Sequence, residues 1–123
     1  LENLHFGGPV ENEYLNFIHN SENPKINSNK ISEGLFFGGD INFFKKLINN
    51  SRNIKFKFFV GYSGWTTNQL DNEIESNSWI VINDYDNKYL FNKGNNNYWS
   101  NFLKNIGGIN KIFSNYPLDP SLN

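Results

Sequence analysis

The chain has 123 residues, 11 Lys and Arg against 12 Asp and Glu, and a formal net charge of -1, so it lacks the basic excess that most nucleic-acid binders use to attract phosphate. It contains no cysteine, which excludes a disulfide framework, a thiolate metal site and a cysteine nucleophile. No apolar run approaches the roughly 20 residues of a membrane-spanning helix and no signal-peptide pattern opens the chain, so a cytoplasmic, non-membrane protein is expected. Bulk for a core comes from rings: 12 Phe, 6 Tyr and 3 Trp. Asn supplies about one residue in five, as solvated faces and turns.

In chain order, residues 1–6 read as a short strand stopped by Gly7-Gly8-Pro9. Residues 14–19 form a second strand, followed by a polar loop over 20–30 and a third strand over 31–37. Gly38-Gly39 then bends the backbone, Asp40 caps a helix, and Ile41, Phe44, Leu47 and Ile48 recur at helical spacing. A strand over 54–60 leads into the turn Gly61-Tyr62-Ser63-Gly64-Trp65. Its alternation places Lys55 and Lys57 on an exposed face, in the densest basic group of the chain with Lys45, Lys46 and Arg52. Thr66 and Gln69 stand at capping-box spacing before a short helix to about Glu75. A strand is predicted over 78–82, a strand or helical turn over 89–91, a helix from Tyr98 to Ile106, and an irregular tail containing Pro117 and Pro120. The beginning resembles a hairpin or meander while strands and helices alternate in the middle, which favours an α+β fold with a mixed sheet over a doubly wound parallel one.

Candidate chemistry is sparse. Ser63 lies on a strand-to-helix turn, as a nucleophile elbow requires, but Trp65 stands where that motif needs glycine, and His5 and His19 both precede the serine. The structural alternative is that Gly61 and Gly64 permit the backbone path while Trp65 plugs the core. Two histidines without cysteine or nearby acids make no zinc site. Asp84 and Asp86 resemble the start of a calcium loop, yet Tyr89 occupies the position where glycine makes the turn. Asp71 and Glu75 are one helical turn apart, the spacing of exposed helix surface as much as of an acid-base pair. Gly39-Asp40 opens onto a helix N-terminus that could favour an anion, but Asp40 brings its own negative charge and capping is the simpler role. No cofactor or metal is expected.

Several combinations in order, namely Leu4-His5-Phe6-Gly7-Gly8-Pro9-Val10, Leu35-Phe36-Phe37-Gly38-Gly39-Asp40, Gly61-Tyr62-Ser63-Gly64-Trp65, Gln69-Leu70, Ser78-Trp79 and the ending from Tyr116 to Asn123, resemble the AlgH/YqgE family. The resemblance runs over essentially the whole chain as a single domain, 1–123, and matches roughly the C-terminal two-thirds of the family's domain. The start at Leu1, within a strand-like stretch, carries the matching expectation of a segment upstream. One departure is Asn68, where the family usually has glycine; asparagine tolerates the left-handed backbone nearly as well. The resemblance implies an α+β arrangement with a strongly bent, barrel-like sheet flanked by helices. It implies little about activity: members are uncharacterised bacterial proteins or candidate transcriptional regulators connected with alginate production, and no catalytic residues come with them.

The resulting expectation is a non-enzymatic module that binds a protein partner, with Gly7, Gly8, Gly38, Gly39, Asp40, Gly61, Tyr62, Ser63, Gly64 and Trp65 as the interaction surface. Two alternatives stand beside it. Direct DNA binding conflicts with the charge balance and with the lack of a helix-turn-helix pattern. An enzyme or small-ligand binder would need a polar pocket near Ser63 and Asp40.

Overall fold

The computed structural model describes residues 4–83 and 86–92. By its contacts the chain divides into a unit of Leu1–Phe91 and a second unit of Asn92–Asn123, and all elements below belong to the first. They are strands β1 (Leu4–Phe6) and β2 (Val10–His19), a 3-10 turn at Pro24–Ile26, strands β3 (Asn29–Ser32) and β4 (Leu35–Phe37), and helix α1 (Ile41–Asn50). Strand β5 (Phe56–Tyr62), helix α2 (Gln69–Glu75) and a 3-10 turn at Asn87–Phe91 follow. The predicted helix from Tyr98 to Ile106, the tail and Asp84 lie outside the described residues.

The five strands form one mixed sheet in the order β1-β5-β2-β4-β3, which is the expected α+β class. β1 and β3 are its two edges, so the sheet of the described residues is open and not the barrel-like form implied by the family resemblance. The expected opening hairpin is also replaced: β1 and β2 do not pair with each other but flank β5, β1 parallel to it and β2 antiparallel. The Gly7-Gly8-Pro9 turn makes this possible by carrying the chain across the end of β5, where the Gly7 N–H donates to the Val60 carbonyl at 2.9 Å.

The predicted strand over 31–37 is two strands. Gly34, at φ 70°, provides the left-handed residue of a tight turn between Ser32 and Leu35, and β3 pairs antiparallel with β4 across it. Residues 78–82 do not form the predicted strand: they follow α2 as irregular chain, with Trp79 and Val81 exposed. The apolar run there has no neighbouring strand among the described residues, and a short apolar run alone does not specify one.

The core lies between α1 and one face of the sheet. Phe17 on β2, Ile26 of the first 3-10 turn and Phe44 on α1 are buried, and Ile41, Leu47, Ile48, Phe56 and Phe58 pack around them. Phe44 and Phe17 stack at 4.7 Å between ring centroids, and Phe44 meets Phe56 edge-on at 5.7 Å. Register explains the assembly: Phe17 is opposite Phe58 and His19 opposite Phe56, and directly paired residues present side chains to the same face. Lys57 projects to the other face with its pair Ile18 and is only 8% exposed, against the exposed position its alternation predicts. Alternation identifies which residues share a face but not whether that face is solvated.

Candidate interaction surface

The residues expected to form one surface fall into two groups at opposite ends of β2. Val10, at the start of β2, pairs with Tyr62, while the Phe17 carbonyl near its end accepts from the Gly38 N–H at 2.9 Å. Their partners on β5, Tyr62 and Phe58, are four residues apart, roughly 13 Å at about 3.3 Å per residue, and β2 covers that span with more residues because its register shifts between Val10 and Leu15.

In the first group, Gly7, Gly8 and Gly61 form a close backbone crossing. A Cβ on Gly7 would overlap the Gly61 carbonyl oxygen, one on Gly8 the Tyr62 carbonyl, and one on Gly61 the Gly8 carbonyl oxygen. Gly8 and Gly61 are buried by that crossing, so these glycines are structural and leave Tyr62, Ser63, Gly64 and Trp65 as the exposed part of the group.

In the second group, Asp40 caps α1. One Asp40 carboxylate oxygen accepts from the N–H groups of Asn42 and Phe43, both at 3.0 Å. Gly39, at φ 119°, lies so near the 3-10 turn that a Cβ would overlap the Ile26 carbonyl oxygen, while the Asp40 N–H donates to that same carbonyl at 2.6 Å. Gly38 offers its carbonyl towards the buried His19 ring, 3.4 Å from Nε2.

His19 is a satisfied core histidine. Its Nδ1 accepts from the Ser21 N–H at 3.2 Å, which leaves the proton on Nε2, 2.8 Å from Ser28 Oγ. It stacks on Phe36 at 5.5 Å. Burial pushes its pKa below the ordinary histidine value. The pKa of His5 is lowered as well, by burial first and then by the charge of Lys57. A concavity of about 220 Å³ opens beside His19, lined by Ser21, Asn23, Asn27, Ser28 and Phe36, among others. Neither Ser63 nor Asp40 lines it, and the two stand in different groups, so they do not make the shared polar pocket that an enzyme centred on them requires. No group of three potential metal ligands occurs among the described residues.

The feature that sequence reasoning missed is built on Glu73. Trp65, which the structural alternative places in the core, is 41% exposed, and Trp79 is 49% exposed. The two indoles meet edge to face with centroids 5.8 Å apart. Both N–H groups donate to the same Glu73 carboxylate oxygen, Trp79 at 2.6 Å and Trp65 at 3.1 Å, and Gln69 donates to the other at 2.9 Å. These bonds, that of Trp79 foremost, hold the Glu73 pKa below the ordinary glutamate range.

Local chemistry sets this arrangement. Asn68 adopts the expected left-handed conformation at φ 65° and opens α2. Gln69 accepts from the Thr66 N–H at 3.0 Å through Oε1, the returning half of the predicted capping box. One turn later on the same helix face, Glu73 meets the indoles. The sequence signal for it is two tryptophans flanking Glu73, itself at helical spacing from Gln69, whereas the spacing of Asp71 and Glu75 marks exposed helix surface.

Comparison with known proteins places this architecture. Residues 1–111 match the family profile described as DUF179, AlgH-like. A UPF0301 protein of Cytophaga hutchinsonii is 38% identical over 99% of this chain and 68% of its own length. A UPF0301 protein of Parabacteroides distasonis is 41% identical over 98% of this chain and 62% of its own length. The chain therefore spans about two-thirds of these relatives. The solution structure of the AlgH protein from Pseudomonas aeruginosa shares the fold with a TM-score of 0.68 over 94% of this chain and 60% of that one, at 20% identity. With the profile covering most of the sequence and these relatives covering nearly all of it, the chain belongs to the AlgH-like family.

Proposed function

We propose that this chain is a non-enzymatic, cytoplasmic module that binds another protein, with the contact made by Trp65, Trp79 and α2. The supporting observation is the pinned indole pair: two large aromatic surfaces left half-exposed and held in fixed orientation by one carboxylate. Rigid, amphipathic indoles lose little conformational entropy on binding, which is why tryptophan is concentrated in the energetically dominant positions of protein interfaces. The glycine turns contribute by positioning this face, since Gly61 and its crossing with Gly7-Gly8 fix where β5 ends and the chain to Trp65 begins.

The candidate role in transcription is then a role through a protein partner. Direct DNA contact has less support, because Lys57, one of the five residues in the densest basic group, is buried in the sheet.

The test is capture from native lysate with the tagged chain and with its Trp65→Ala/Trp79→Ala double variant, each with and without nuclease. A protein recovered reproducibly by the native chain, insensitive to nuclease and lost with the double variant supports the reading. Equal recovery by both forms, or recovery that vanishes with nuclease, overturns it.

A further inference from the structure

The same face carries a strong charge asymmetry. From Tyr62 to Ile82 the sequence contains Asp71, Glu73 and Glu75 but no Lys, Arg or His. None of the three pairs with a cation among the described residues, where the ion pair formed is Lys30 with Glu33. Glu73 shows why hydrogen bonding leaves the charge in place. Its three donors, two indoles and a primary amide, are neutral, so they favour the carboxylate form while adding no positive charge.

Apolar surface lies beside this charge. No residue of α2 is buried, and Leu70 and Ile74, one turn apart, form an exposed stripe next to the Gln69–Glu73 stripe. Ile80 and Val81 are exposed immediately after Trp79. The face therefore combines indole rings, aliphatic side chains and a negative field with no cation paired to it among the described residues. Guanidinium and ammonium groups are attracted to carboxylates and to indole faces alike, whereas an acidic segment would be repelled.

Building on the proposed protein-binding role, we infer that the occupant of the Trp65–Trp79–α2 face is a basic amphipathic segment of the partner, with arginine or lysine beside the indoles and Glu73 and with apolar residues on Leu70 and Ile74. Charge complementarity selects this occupant over a neutral or acidic one, and over nucleic acid, whose phosphates carry the same sign as the face.

The experiment titrates the isotopically labelled chain with a twelve-residue amphipathic peptide of leucine and arginine. A second peptide carries citrulline, the neutral isostere of arginine, at every arginine position. The expected result is saturable binding of the arginine peptide that shifts the indole N–H resonances of Trp65 and Trp79, with affinity at least tenfold weaker for the citrulline peptide. The Asp71→Asn/Glu75→Gln double variant leaves the indole hydrogen bonds intact and should weaken arginine-peptide binding severalfold. The Glu13→Gln/Glu22→Gln double variant, on β2 and in the loop after it, removes the same number of charges and should leave binding unchanged, so it controls for net charge.

Equal affinity for the two peptides with shifts confined to this face would overturn the basic occupant while leaving the face as a protein-binding surface. Shifts elsewhere, or no binding of the arginine peptide, would overturn the inference itself. Loss of the partner in the capture experiment tests the broader reading independently, because it requires no particular charge on the partner.

Discussion

Glu73 accepts the indole N–H of Trp79 at 2.6 Å through the same oxygen that accepts from Trp65. The two tryptophans are thereby coupled to one titratable group. Because the folded-state pKa of Glu73 is depressed, its contribution is complete above the ordinary glutamate value of 4.5 and is lost as pH falls through the folded value. The indole N–H resonances of Trp65 and Trp79 should titrate together, with a shared midpoint below 4.5, and Glu73→Gln should abolish that titration. Separate midpoints for the two indoles would contradict the shared acceptor.

His19 gives the opposite end of the acid profile. Its pKa, like that of His5, is lowered from 6.5, so over the interval from 6.5 down to the folded value the unfolded chain binds more protons than the folded one. Stability should fall as pH drops from 6.5 towards the folded values, measured as the urea midpoint in a pH series. His19→Phe should flatten most of that slope and cost about 1–3 kcal/mol at neutral pH, because Ser21 N–H and Ser28 Oγ lose their buried partner. His5→Gln reports the smaller share of the partly exposed ring. An unchanged slope in His19→Phe would remove the buried imidazole from the acid response.

Two glycines with positive φ separate backbone strain from steric exclusion. Gly34, at φ 70°, has open space where a Cβ would sit, so Gly34→Ala should cost about 1–2 kcal/mol from the left-handed conformation alone. Gly39, at φ 119°, faces the Ile26 carbonyl, so Gly39→Ala adds a collision with backbone and should cost clearly more in chemical denaturation. Equal costs would mean that the 3-10 turn yields.

The core and its cap differ in scale. Phe44 is fully buried against Phe17, Phe56 and Phe58, and Phe44→Ala should cost about 3–5 kcal/mol. Asp40→Ala removes two N-cap acceptances at the exposed end of α1 and should cost about 1 kcal/mol. Denaturant curves for both variants test the ratio.

What the sequence made legible follows the range of the interactions concerned. Asp40 and α1, the left-handed Asn68 and the Thr66–Gln69 cap depend on neighbours within a turn, and each stands where its residues predict. The position of β5 between β1 and β2 depends on partners 37 to 54 residues apart, and the hydrophobic pattern gives no sign of it. The split of 31–37 was marked only by Gly34, a residue easily absorbed into a strand. For the interaction surface, Gly61 and Trp65 were visible as a turn, and Gly61 serves the backbone path expected of it, whereas Trp65 does not plug the core as the structural alternative had it. The small residues are packed against backbone, and the large aromatic faces outward because Glu73 supplies a partner for its polar atom.

The parallel pairing of β1 with β5 also orders events during synthesis. Leu4 meets Phe58, so β1 must remain without this sheet partner while the next fifty or so residues are made. At roughly 5–20 residues per second that interval lasts about 3–10 s. The β3–β4 hairpin and α1 can form in it from local contacts, whereas β1 and most of β2 wait for one late strand to close both of their edges. Gly7 and Gly8 then have a temporal role as well as a spatial one: until Gly61 arrives to cross them, the pair is a flexible joint that lets β1 and β2 reorient to the two sides of the incoming strand.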